Sequence, residues 1–168
     1  LLRMPIDADT RRRVTANPLM LSMVASIAEL RTGIDMPTKT AELYSVAAET
    51  MLSRGGALSG SAMALLQATF FEAHAAQQRI ITKDHLEAAA RRVGGAVGEL
   101  RERILQDRLP LLRLLKAEPL QMQAFHLSFQ EFYAMRALSS GRVRLPAFEW
   151  DVWWCNAVLM GVQTGNTF

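Results

Sequence analysis

Hydrophobic spacing changes several times along this chain, and each change marks an element. Leu19, Met20, Met23, Val24, Ile27 and Leu30 recur at steps of three and four, the interval that aligns one face of a helix. Asn17-Pro18 supplies a cap and then a proline at the first helical position, where its missing N–H costs nothing; Gly33 supplies the stop. After Pro37, with Thr38 or Thr40 as cap, Leu43, Tyr44, Ala47, Met51 and Leu52 form a second such face as far as Gly55-Gly56. Two helices joined by a short turn predict an αα-hairpin. Beyond Gly60-Ser61 a helix carries Met63, Leu66, Phe70 and Ala73, and the β-branched run Arg79-Ile-Ile-Thr82 leaves room for a short strand. Thr82 caps a helix with Leu86, Ala89, Ala90 and Val93, which Gly94-Gly95 stops. A further helix, 97–108, carries Val97, Leu100, Ile104 and Leu105, with Glu99 and Arg103 one turn apart on its wet side. Residues 111–117 and 120–127 read as two strands around Glu118-Pro119, a hairpin wing.

At Phe125-His-Leu-Ser-Phe-Gln-Glu-Phe-Tyr-Ala-Met-Arg-Ala-Leu138 the alternating pattern passes into helical spacing without a break. Phe129, Phe132, Tyr133 and Met135 make the apolar face. Ser128 with Glu131 three residues on matches a capping box and predicts the helix start at Ser128. His126 falls at the strand–helix seam, where its ring direction can be set from both sides. Read from the residues alone, a single histidine among apolar neighbours is more often a buried group with one satisfied nitrogen than a ligand contact.

The order helix, short strand, two helices with a glycine turn, then a two-stranded wing is that of a winged helix. The expected fold is therefore mainly α, in three parts. Residues 1–56 form a small helical αα-hairpin domain and 57–140 a winged-helix domain with its β-hairpin; 141–168 start a further helical domain.

Composition narrows the class. The 168 residues are long enough for one good core or two small packed subdomains. Half of them are hydrophobic and 21% charged, which argues against disorder. A net charge of +3 is too small to predict a nucleic-acid-binding stripe. The basic run Arg11-Arg12-Arg13 reads as a solvated helix face. The single cysteine, Cys155, rules out an internal disulfide and fits a reducing compartment. With no secretory signal visible and no apolar run long enough to span a bilayer, a cytoplasmic location is expected, with no membrane partner. The chain opens at Leu1 without an initiator methionine, which we read as a piece of a larger protein.

Catalytic motifs are missing. Three histidines without acidic or cysteine partners at ligand spacing predict no metal site, with His74 at a helix end and His85 in a first turn. A thiol pair of Cys155 with one of them is disfavoured because Cys155 lies in a Trp-rich apolar stretch and reads as inert core. No phosphate-cradling Gly-x-x-x-x-Gly-Lys-Ser/Thr loop is present, so this chain is not expected to hydrolyse a nucleotide by itself. Trp150, Trp153 and Trp154 with Val158 and Leu159 read as core.

His-Leu-Ser-Phe-Gln-Glu-Phe at 126–132, Asn-Pro-Leu-Met-Leu at 17–21 and Pro-Thr-Lys-Thr-Ala-Glu-Leu-Tyr at 37–44 resemble NACHT-type STAND NTPases, the nucleotide-switched signalling ATPases. These segments look like the small helical domain and the winged-helix segment that follow the NTPase core in that family. The resemblance covers most of residues 14–160. It implies that His126 contacts the β-phosphate of bound ADP and that Pro18 packs on the adenine base. It further implies a P-loop NTPase domain upstream, which would hold ADP or ATP with Mg2+, a repeat domain downstream, and a homo-oligomer on activation. The family usually has an aromatic two residues before the histidine; here Ala124 stands there and Phe125 follows it, which bears on the register of the hairpin. The rival expectation is a winged-helix DNA-binding or protein-docking module. Arg101, Arg103 and Arg108 would serve it, but Glu99, Glu102 and Asp107 share their helix and repel phosphates.

Overall fold

The computed structural model describes residues 18–30, 37, 39–141, 143 and 151–164. Its central element is a helix buried on nearly every side. Helix α3 (Gly60–Ala75) buries Leu65, Leu66, Ala68, Phe70, Phe71 and Ala73, and with them Gln67, Thr69 and His74. A helix apolar nearly all round needs cover on every side. Thr69 fits there because its hydroxyl donates to Leu65 O at 2.8 Å. Helices α4 (Lys83–Val93) and α6 (Leu127–Ser139) supply most of the cover, with α5 (Val97–Leu105) beside them. Phe70 stacks on Tyr133 of α6 at 5.5 Å.

Strands β1 (Ile80–Thr82), β2 (Leu112–Lys116) and β3 (Gln121–Ala124) form an antiparallel sheet in the order β1-β3-β2. Ile81 faces Met122 and Leu114 faces Met122 from the other side, so three apolar side chains meet over the core. The sequence α3-β1-α4-α5-β2-β3 has the element order of a winged helix. The described residues are thus mainly helical with one small antiparallel sheet, as expected. Both strands of the wing are shorter than the pattern suggested. After Ala124 the chain already turns at Phe125 and His126 to enter α6. The third winged-helix helix also ends early, at Leu105, because Asp107 takes a positive φ of 54°.

Helices α1 (Pro18–Leu30) and α2 (Thr40–Arg54) pack on each other. Asn17 and Gly33, the expected ends of α1, lie outside the described residues, as do Arg11-Arg12-Arg13 and Trp150. Thr40 does not cap α2; Lys39 precedes the first turn without a side-chain cap bond, while Thr38 lies outside the described residues. At the other end Gly55 has a steric reason. A Cβ there would come within 2.2 Å of Arg108 O. The same close approach is tied by Arg103, whose guanidinium donates to Gly55 O at 3.0 Å, Gly56 O at 2.8 Å and Ala57 O at 2.7 Å.

A short 3-10 turn (Val152–Trp154) leads into α7 (Cys155–Gln163). Asp151 caps the turn by accepting from Trp153 N at 2.9 Å, and Trp154 is buried against Phe71. Cys155 is exposed, contrary to the inert-core expectation. The inward position belongs to Trp154, and one residue further along a helix points about 100° away. Helix α7 lies on α6 and also touches α2. Gln163 accepts from Ala41 N at 3.2 Å, and Lys39 donates to Gln163 O at 3.2 Å. Among the described residues no helix is long and apolar enough to cross a membrane.

Candidate functional site

The junction of β3 and α6 is built around His126. Its backbone is extended, with φ −146° and ψ 145°, and its ring Nδ1 accepts from Ser128 N at 3.2 Å. His126 is therefore the cap of α6, and Ser128 is not. The reason is positional: Nδ1 stands as many bonds from the backbone as the oxygen of an asparagine cap, so it reaches the same orphan N–H. Since an amide N–H can only donate, Nδ1 carries the lone pair and the ring proton of neutral His126 sits on Nε2. The ring is exposed. Its Nε2–H is left as a donor with no protein partner among the described residues, on the residue that caps a 13-residue helix.

Ser128 instead sits inside a small polar cluster. Its hydroxyl lies 3.1 Å from His126 Nδ1, and Tyr44 nearby sets its ring edge-on to Phe129 at 5.3 Å. Burial holds the Tyr44 phenol above its usual range. Glu131 does not reach back to close a capping box. It is 92% buried by its 8% exposure, accepts from Asn156 Nδ2 of α7, and has its carboxyl pushed up by that burial. The bonds from Asn156 and Ser128 and the nearby His126 and Arg79 oppose that shift. Next to it Gln130 is fully buried. Its amide nitrogen donates to Gln78 O at 2.9 Å, which leaves Oε1 as an acceptor with no bond.

These groups line one cleft of about 430 Å³, walled by His126, Arg79, Gln130, Glu131 and Asn156, with Phe125 at its edge. A second, apolar cavity of about 320 Å³ adjoins it, lined by Leu19 and Met23 of α1, Met51 of α2, and Phe129. Phe125, 61% exposed, lines both. Pro18 lines neither. It is exposed at the first position of α1, where its carbonyl accepts from Ser22 Oγ at 3.0 Å. Its neighbour Leu19 lies on the apolar side of Phe125. The first turn of α1 and the His126 ring thus belong to adjoining cavities.

The other two histidines have structural settings. His85 completes a capping box with Thr82, accepting from Thr82 N at 3.0 Å, and burial lowers its pKa. His74 is completely buried, stacked on Trp153 at 5.0 Å and edge-on to Trp154 at 4.4 Å, with neither ring nitrogen bonded. Burial lowers its pKa to about 4. No group of three metal-ligating side chains occurs among the described residues. On α5, Arg103 is engaged with the carbonyls of the 55–57 turn and with Glu99 at 3.6 Å, and Arg101 lies 3.8 Å from Glu118 of the wing. Two of the three arginines available to a DNA-reading helix therefore already face protein acceptors.

What the sequence missed was the pairing of Glu131 with Asn156, 25 residues apart. No local spacing signals it. The unbonded acceptor of Gln130 was equally hidden, since it depends on the carbonyl of Gln78 being in reach. Comparison with family models, with curated proteins and with solved structures returned no match.

Proposed function

We propose that this chain is the regulatory lid of a nucleotide-switched signalling ATPase of the NACHT type, closing over ADP or ATP held by a separate P-loop domain. The observation that supports it is the fixed tautomer of His126. With Nδ1 engaged by Ser128 N–H, Nε2–H is left free to donate in a cleft that Arg79 and the start of α6 also line, the donor set a phosphate needs. The adjoining apolar cavity, lined by Leu19, the residue after Pro18 in α1, suits a flat base. In this reading His126 contacts the β-phosphate in the ADP state, Pro18 packs on adenine, and the P-loop domain supplies the magnesium. Loss of the His126 contact on exchange for ATP then releases the lid.

A near-complete switch needs a difference of about 5.5 kcal/mol between the two nucleotides' preferences. One charge-assisted hydrogen bond supplies about 1.5–3 kcal/mol, so His126 shares the task with other contacts. The test is ADP release from the intact protein. His126→Ala should speed it by about tenfold to a hundredfold, the kinetic equivalent of that bond. Unchanged release, or an intact protein that holds no nucleotide, would overturn the reading.

A further inference from the structure

The cleft beside His126 contains a contradiction that its ligand must resolve. Its lining carries donors: the Nε2–H of His126, the Arg79 guanidinium and the amide end of α6. The same lining also carries acceptors. Gln130 Oε1 is fully buried with no bond, and its amide cannot be turned round without losing the 2.9 Å bond to Gln78 O. Glu131, only 8% exposed, presents a carboxyl in the same wall. An oxyanion drawn in by these donors meets a second anion, the Glu131 carboxylate, in the same cleft. Like charges this close in a partly dry cleft cannot both stay ionised without a large electrostatic cost.

Resting on the lid reading above, we infer that Glu131 takes up a proton when a phosphate enters this cleft and then donates it as a hydrogen bond to a phosphate oxygen. The proton comes from solvent, and no covalent bond to the ligand forms. The groups that act on Glu131 are Asn156 from α7, His126 and Ser128 at the start of α6, and Arg79 ahead of β1; Tyr44 of α2 reaches it through Ser128. Burial already disfavours its charged form, and the bond from Asn156 is the strongest of the groups that favour it. The ligand's negative charge tips the balance. Glu131 is thereby a specificity residue: it selects an oxyanion that leaves one oxygen lone pair free for it, and it admits that anion more readily as pH falls.

The sign is fixed by linkage. A bound anion raises the Glu131 midpoint above its value in the free protein. Affinity is therefore greatest below the free-protein midpoint and falls by up to about tenfold per pH unit as pH rises between the two. The experiment is calorimetric titration of the intact protein with ADP, in buffers of unlike ionisation enthalpy, to count protons taken up. The expected result is an uptake that drops in Glu131→Gln, with a flatter pH profile of affinity. A parallel variant, Asn156→Ala, removes the bond that favours the charged carboxylate and should move the pH window upward; it carries the same test if Glu131→Gln does not fold. ADP binding with the same uptake in the parent and Glu131→Gln, or an unmoved window in Asn156→Ala, overturns the role of Glu131 and leaves the lid reading standing. No ADP binding at all overturns both.

Discussion

Of the helix ends that carry a histidine, those of α3 and α6 treat it in opposite ways. At the C-terminal end of α3, His74 is sealed between Trp153 and Trp154, neither nitrogen bonded, its charge suppressed. At the N-terminal end of α6, His126 is exposed, one nitrogen committed to the backbone and the other with no protein partner among the described residues. The segment 151–164 reaches both places, setting its tryptophans on the first and Asn156 on Glu131 behind the second. The difference teaches that burial decides what an imidazole does here. Packed in rings it serves as a flat filler; at an open seam it becomes a directed donor.

The comparison can be broken most severely at the sealed end. Trp154→Ala, which empties a site of 2% exposure, should destabilise the protein by about 3–5 kcal/mol in chemical denaturation. A loss under about 1 kcal/mol would mean that the tryptophan seal is not part of the cooperative core. Next in size is acid sensitivity. Burial holds the His74 pKa at about 4 in the folded protein against the ordinary 6.5, so its contribution is fully present above the unfolded value and is lost as pH falls toward 4. Stability should decline by roughly 3 kcal/mol across that window from this group, and His74→Phe should lack that part of the slope. An equal slope in the variant would assign the acid sensitivity to other groups. The smallest effect belongs to the open end. His126→Ala removes a cap and should cost about 1 kcal/mol in thermal or chemical unfolding, whereas His126→Asn, able to accept the same N–H, should restore most of it. Equal losses in both variants would show that the cap bond contributes little.

Much of the sealed half was legible beforehand because its signals are local. Glycines at 55–56 and 94–95 stop helices where expected, and Glu118-Pro119 turns the wing. Spacing of three and four found the buried faces of α2 and α6, down to Tyr44 and Phe129. The open half was less legible for a physical reason. Ser128 and Glu131 match a capping box, yet the competing acceptor His126, two residues earlier, reaches the amide first and starts the helix sooner. Cys155 read as core because its neighbours are apolar, but a helix decides burial by angle and gave the inward direction to Trp154. The roles of Asn156 and Gln130 depend on groups 25 and 52 positions distant, contacts that exist only once the chain has folded.

The bond from Ala41 N to the Gln163 side chain, with Lys39 reaching the Gln163 carbonyl, has a mechanical meaning. It staples the last turn of the final helix to the first turn of the second, so the front and rear of the described fold are buckled together. Any hinge that swings α1 and α2 away from the winged portion has to unfasten that buckle, or carry the rear helix along and drag Asn156 off Glu131.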